Sequence, residues 1–263
     1  MKTYKELFNE LGRSALIPFF VIGDPDFDTS LDIVKTAIDS GADVLELGIA
    51  FSDPIADGPT IQKADIRALD AGITVAKALE FIKKVKAYKD IPIGLLMYYN
   101  LIFQYGVEKF YKDFAAAGVN SVLIADLSID DADETIAPST AAGMDTVFMV
   151  TPNTEDDRMK LIAEKSTGFI YTVSLLGVTG GREALSDMVK PLIAKLKAVT
   201  DVPVCVGFGI SSAAHAAQLA KAGADGVIIG SRLVKIIESN LGNKKETLTK
   251  IAEFLKEVKK AIQ

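Results

Sequence analysis

Apolar residues gather in eight short runs, at positions 15–22, 43–48, 91–98, 119–125, 145–150, 168–174, 202–207 and 225–230. Within each run they are nearly continuous rather than alternating, which is the pattern of parallel strands covered on both faces. Between the runs the spacing changes to that of amphipathic helices, as in Leu31, Val34, Ala37 and Ile38 or in Val107, Phe110, Phe114 and Ala117. These segments end in the glycine that a helix terminus favours. Three endings repeat one phrase, Ser40-Gly-Ala-Asp, Ala117-Gly-Val-Asn and Ala222-Gly-Ala-Asp, each just ahead of a strand run. The repeating unit is therefore a strand followed by a helix.

Eight such units in 263 residues fit an α/β fold of one kind, a closed (β/α)8 TIM barrel forming a single domain over residues 1–263. Most run centres lie 22 to 28 residues apart, but 49 residues follow the second run and 34 follow the sixth. The extra segments, 51–62 and 175–186, begin at the C-terminal ends of their strands. In such barrels that face is catalytic, so both are expected to be long active-site loops. An extra N-terminal helix at 4–11 and a long final helix through Ile262 are expected to cap the two ends.

Composition narrows the function. The chain is 49% hydrophobic and 24% charged with a net charge of −6, a globular composition with no electrostatic reason to bind nucleic acid or an anionic membrane. One cysteine and one histidine exclude a disulfide framework and leave only carboxylates for a metal, so no metal site is expected. The longest apolar runs, 15–23 and 91–99, contain Pro18 and Pro92 and fall well short of the ~20 residues of a membrane span. Gly-Asp-Pro follows the first where a cleavage site would stand, so no signal peptide is read and a cytoplasmic location is expected.

Two carboxylates stand out. Glu46 alternates with Leu45 and Leu47 on the second strand and so points into the barrel, where an ionised carboxylate must be paired, protonated or reached by substrate. Asp57 lies at the end of the loop 51–62, able to fold over the barrel mouth; Asp53 in the same loop reads as an Asp-Pro turn. Two carboxylates at one cavity with pKa values set apart by burial divide acid and base roles. Glycine clusters at Gly177/Gly180/Gly181, Gly207/Gly209 and Gly230-Ser231 follow the last three strands, where backbone N–H groups and helix N-termini hold phosphate. Phe19, Tyr98, Tyr171, Phe208 and Ile61 are placed to line an apolar pocket, with Thr179 in the loop after the sixth strand. No lysine ends a strand inside the barrel, which argues against a Schiff-base aldolase. His215 reads as a helix-surface residue and Cys205 as a small buried hydrophobe.

Pro18-Phe-Phe-Val-Ile-Gly-Asp-Pro, the string from Glu46 to Gln62, Leu95-Leu-Met-Tyr-Tyr-Asn, Gly177-Val-Thr-Gly and Val206-Gly-Phe-Gly-Ile-Ser together resemble the tryptophan synthase alpha subunit family. The resemblance runs through nearly the whole chain in order. It implies cleavage of indole-3-glycerol phosphate to indole and glyceraldehyde 3-phosphate, with no cofactor in this subunit. It also implies an alpha2beta2 complex with a pyridoxal-phosphate-dependent beta subunit that receives the indole. By resemblance Glu46 matches the acid/base carboxylate, Asp57 the group that stabilises the indole nitrogen, and Gly180, Gly209, Gly230 and Ser231 the phosphate cradle, while Tyr171 lies beside the substrate. Ala50 and Leu101 stand where the family commonly has proline, and Ala125-Asp-Leu-Ser replaces Pro-Asp-Leu-Pro, changes that bear on loop rigidity and docking to the partner. Two other classes are compatible with parts of the pattern: another phosphosugar barrel enzyme, needing a metal or a second strand-end acid, and a non-catalytic activator of a partner.

Overall fold

The computed structural model describes residues 4–173, 183–207 and 209–263. The chain runs α1 (Tyr4–Leu11), β1 (Ala15–Val21), α2 (Phe27–Asp39), β2 (Leu45–Gly48), α3 (Pro59–Asp70), α4 (Val75–Tyr88), β3 (Ile93–Met97), α5 (Tyr99–Tyr105), α6 (Val107–Ala116) and β4 (Ser121–Ile124). It continues α7 (Asp133–Ala142), β5 (Asp145–Thr146), β6 (Phe148–Val150), α8 (Asp156–Lys165), β7 (Ile170–Val173), α9 (Glu183–Lys197), β8 (Val204–Gly207), α10 (Ala213–Lys221), β9 (Gly226–Ile229), α11 (Ser231–Ser239) and α12 (Lys244–Ala261). All strand pairings are parallel, in the order β5-β4-β3-β2-β1-β9-β8-β7-β6. The fifth predicted strand is split at Val147 into β5, which pairs with β4, and β6, which pairs with β7. These two halves of one run join the ends of the sheet, so the structure is a (β/α)8 barrel.

The repeated Gly-x-Asp/Asn phrase has a local explanation. Gly41, Gly118 and Gly223 each adopt a positive φ, of 99, 94 and 95°, that stops the preceding helix and turns the chain into the sheet. Two residues later the polar side chain turns back to the neighbouring strand. Asp43 accepts the Leu16 N–H at 2.8 Å, Asn120 the Ile93 N–H at 3.0 Å and Asp225 the Val204 N–H at 2.8 Å. Each phrase thus satisfies an N–H at the first or second residue of the adjacent strand and sets its register.

The N-terminal helix closes the barrel floor as expected: Tyr4 is fully buried, hydrogen-bonds Ser121 at the start of β4 (2.9 Å) and meets Phe169 edge-on at 5.5 Å. The last helix does not cap the other end. α12 packs against α2 and α10, taking the eighth place in the outer ring, because α11 is a short extra helix on the catalytic side. The long spacing after β2 is likewise part loop and part helix. Pro59 at the first helical position starts α3, whose buried Ile61, Ala64, Asp65 and Ala68 form one face, so residues 59–62 are helical and the loop proper ends at Gly58. Of segment 175–186, residues 175–182 lie outside the described residues and 183–186 begin α9. No helix among the described residues is long and apolar enough to cross a membrane.

Candidate active site

The C-terminal ends of the strands enclose a cavity of about 480 Å³ lined by Phe19, Glu46, Asp57, Tyr171, Gly209 and Gly230 among others. Room for it comes from alternating large and small inward positions. Phe19 lies over Gly48 and Gly230, where a Cβ would come within 2.9 and 3.1 Å of its ring. Tyr171 lies over Gly207, where a Cβ would fall 2.1 Å from the phenol oxygen. Gly207, read from the sequence as part of a phosphate loop, is therefore first a packing partner of Tyr171.

Glu46 pairs in register with Phe19 of β1 and Gly94 of β3 and is 3% exposed. Its Oε2 has no hydrogen-bond partner among the described residues. Burial in this apolar wall pushes its pKa up to about 8, so the carboxyl holds its proton at neutral pH while still facing the cavity. Of the three options left by the sequence, Glu46 lines the cavity where a substrate can reach it, its Oε2 has no partner among the described residues, and burial favours its protonated form.

Asp57 is held from the side. The Tyr98 hydroxyl donates to Asp57 Oδ2 at 2.7 Å and accepts the Ala56 N–H at 3.0 Å, while its ring stacks on Phe51 at 5.1 Å. Burial raises the Asp57 pKa above the usual carboxylate range, an effect that the Tyr98 hydrogen bond partly offsets. Behind the loop, Asp24 accepts two hydrogen bonds from Arg67 of α3, at 2.6 and 2.9 Å. The exposed Asp53 accepts the neighbouring Ser52 hydroxyl on its side chain and the Ile55 N–H on its carbonyl at 2.9 Å, as a turn residue.

At the other end of the cavity, Gly209 has a φ of 75° and Ser211, Gly230 and Ser231 line the wall. Gly230 is the N-cap of α11 and supplies no side-chain cap; Leu233 N–H donates to the Gly230 carbonyl at 2.8 Å, which leaves the N–H groups of Ser231 and Arg232 without a partner among the described residues. In contrast, Ser212 caps α10 through the His215 N–H. Thr179, Gly180 and Phe208 lie outside the described residues.

Comparison with known proteins settles the family. The model of the tryptophan synthase alpha chain family matches residues 6–263. The chain belongs to this family. It is 46% identical over 259 residues to the tryptophan synthase alpha chain of Methanothermobacter thermautotrophicus, covering 98% of this chain and 96% of that one. The alpha chain of Photobacterium profundum is 44% identical, with 99% and 98% covered. A chain of the solved tryptophan synthase α2β2 complex of Pyrococcus furiosus superposes with a TM-score of 0.88 at 40% identity, covering 94% of this chain and 98% of that one. As a tryptophan synthase alpha chain, the protein is a lyase that cleaves indole-3-glycerol phosphate to indole and glyceraldehyde 3-phosphate in tryptophan biosynthesis.

In this alpha chain Glu46, Asp57, Phe19, Tyr171, Ile61, Gly209, Gly230 and Ser231 all line the one cavity. Tyr98 does not; buried at 3% exposure, it reaches the site through its hydroxyl on Asp57. Three residues escaped the sequence reading: Arg232 and Lys235, which line the cavity from α11, and Asp65 of α3. Asp65 is 5% exposed with its Oδ2 unpartnered. Burial, reinforced by Asp57 and Asp24, pushes its pKa up to about 8. The signal for it was the helical period Ile61, Ala64, Asp65, Ala68, which puts an acid on a buried face.

A raised carboxyl pKa has a defined sign for stability. Between about pH 4 and pH 8 the native Asp65 keeps a proton that the unfolded chain has lost, so its contribution to stability falls as pH rises through that window. Asp65→Asn, which mimics the protonated acid, should match the wild-type melting temperature near pH 4 and exceed it by several degrees at pH 8.5. Melting curves at the two pH values check this; an equal difference at both would show that Asp65 does not titrate with folding.

Proposed function

We propose that Glu46 is both the acid and the base of the cleavage and that Asp57 carries the charge of the indole ring. The observation that carries this is a buried carboxyl, its Oε2 unpartnered among the described residues, sharing one cavity with a second carboxyl that Tyr98 holds in place. Protonated Glu46 gives its proton to indole C3, which places positive charge on the ring nitrogen. The ionised Asp57, fixed by Tyr98, stabilises that N–H as the charge develops. Glu46, now a carboxylate, takes the proton of the side-chain hydroxyl; the carbonyl forms, the C3 to side-chain bond breaks, and its electron pair restores the indole double bond. One proton is given and one taken, so the carboxyl returns to its starting state.

The phosphate end of the substrate lies against Gly209, Gly230 and Ser231, with Gly180 added by resemblance alone; Phe19 and Tyr171 flank the indole, while Thr179 and Phe208, also expected at the substrate, lie outside the described residues. None of these steps calls on a cofactor in this chain. Pyridoxal phosphate belongs to a beta-subunit partner, which takes up the indole in an alpha2beta2 complex in the cytoplasm. Support for the partner comes from the Pyrococcus furiosus complex, described as mutually activated, and from apolar surface at the catalytic face. Ile55, in the loop after β2, is 84% exposed and Phe103, on α5 after β3, is 60% exposed.

The test is indole release from indole-3-glycerol phosphate by the isolated chain, without and with a beta subunit. Slow release alone and a marked rise on adding the partner is the expected result, because the loop carrying Asp57 starts at Ala50 without proline and is ordered by a partner that binds its closed form. A beta subunit that forms a stable complex and leaves turnover unchanged would remove the coupling; no indole from the folded chain under either condition would remove the assignment of roles.

A further inference from the structure

Among the described residues the cavity is lined by two carboxyl groups, Glu46 and Asp57, and two cations, Arg232 and Lys235, both from the first two turns of α11. The cations differ in how far their charge is already used. Lys235 donates to Glu238 at 2.7 Å, and the other oxygen of Glu238 receives Lys63 of α3 at 3.1 Å. Arg232 has no carboxylate partner among the described residues; its guanidinium lies 5.6 Å from the ring centroid of Phe254 on α12. Stacking on an aromatic face steadies a guanidinium without engaging its five N–H donors. The result is an uncompensated charge beside the uncapped N-terminus of α11, in a protein whose net charge is −6.

We infer that Arg232 binds the phosphate group of the substrate, adding a full charge to a cradle otherwise made of backbone N–H groups, and so selects phosphorylated over unphosphorylated indole glycerol. The inference rests on the placement of the phosphate at Gly209, Gly230 and Ser231. Backbone dipoles offer partial charges to a dianion, whereas a guanidinium offers a planar pair of donors matched to two phosphate oxygens. The contact is made in ground state and transition state alike, since the phosphate does not react; its loss acts on KM and leaves kcat in place.

Arg232→Gln should raise KM for indole-3-glycerol phosphate about tenfold with kcat within a factor of about two, and weaken glycerol 3-phosphate binding in calorimetry by the same factor. The rise of KM with salt should be shallower than in the wild type. Arg232→Lys, which keeps the charge and loses the paired donors and the stacking, should recover part of the affinity and the salt dependence. Gly209→Val separates this inference from the reading beneath it. If Gly209→Val abolishes glycerol 3-phosphate binding while Arg232→Gln leaves KM, calorimetry and salt dependence at wild-type values, Arg232 is not a phosphate ligand and the cradle stands. Unchanged analogue binding in a folded Gly209→Val would instead displace the cradle itself, and this inference with it. Should Arg232→Gln unfold the chain through loss of the Phe254 contact, Phe254→Leu, which removes the stacking and keeps the charge, must retain glycerol 3-phosphate binding within a few-fold or the inference fails.

Discussion

Glu46→Gln is expected to reduce indole formation by at least ~10²-fold, and as far as ~10⁴-fold, while the protein remains folded. The substitution keeps the shape of a neutral carboxyl in a pocket 3% exposed and removes the proton that the reaction moves twice. Because burial pushes the wild-type pKa up to about 8, the same residue also sets a pH limit. The acid form is complete well below pH 8 and is lost above it, so wild-type kcat/KM should fall along a limb near pH 8. The fold should respond in the opposite sense to catalysis. Native Glu46 keeps a proton that the unfolded chain loses above about pH 4.5, so ionisation lowers wild-type stability as pH rises from there to about 8. Gln removes that cost, and Glu46→Gln should be the more heat-stable protein at pH 8.5 and the inactive one at every pH. Steady-state indole release and melting curves on the same samples decide it. More than about a tenth of wild-type turnover in Glu46→Gln would return the acid/base role to another group.

The parts of this molecule that burial determines could be read from the chain. The continuous apolar runs marked the strands because both of their faces are covered, and the position of Glu46 between Leu45 and Leu47 fixed its inward direction. Periodicity reports which side of an element is dry and is silent on hydrogen bonding. Tyr98 was therefore grouped with pocket-lining aromatics, although its hydroxyl joins Asp57 to the backbone of Ala56. Arg232 and Lys235 carried no signal in the sequence, because a Lys three positions before Glu238 is the usual pattern of an exposed helix face. Only the start of α11 directly after β9, at the C-terminal end of that strand, brings that face to the cavity. The role assigned to α12 failed for a related reason: an amphipathic pattern says that one face is buried and does not say against which neighbour.

Gly207→Ala should cost about 10²-fold in kcat/KM, although the residue neither reacts nor carries an unusual backbone angle. The Cβ of alanine would stand 2.1 Å from the Tyr171 oxygen, 2.5 Å from Cζ and 2.8 Å from Cε1. Those are separations that packed atoms do not tolerate, and the ring, only 9% exposed, has one open side. That side is the cavity, which Tyr171 lines along with Glu46. Relieving the overlap moves the ring by more than an ångström into the space that the proposed mechanism gives to the indole, and displacements of this size near reacting groups cost about 10²-fold. Overpacking should also lower stability by roughly 1–3 kcal/mol. A double-mutant cycle isolates the cause: in a Tyr171→Ala background the same Gly207→Ala change should cost almost nothing in stability, because the ring it strikes is gone. If Gly207→Ala is equally costly with and without the tyrosine ring, its effect arises in the backbone of β8, and the large-and-small packing that opens the cavity at this strand is not what keeps residue 207 a glycine.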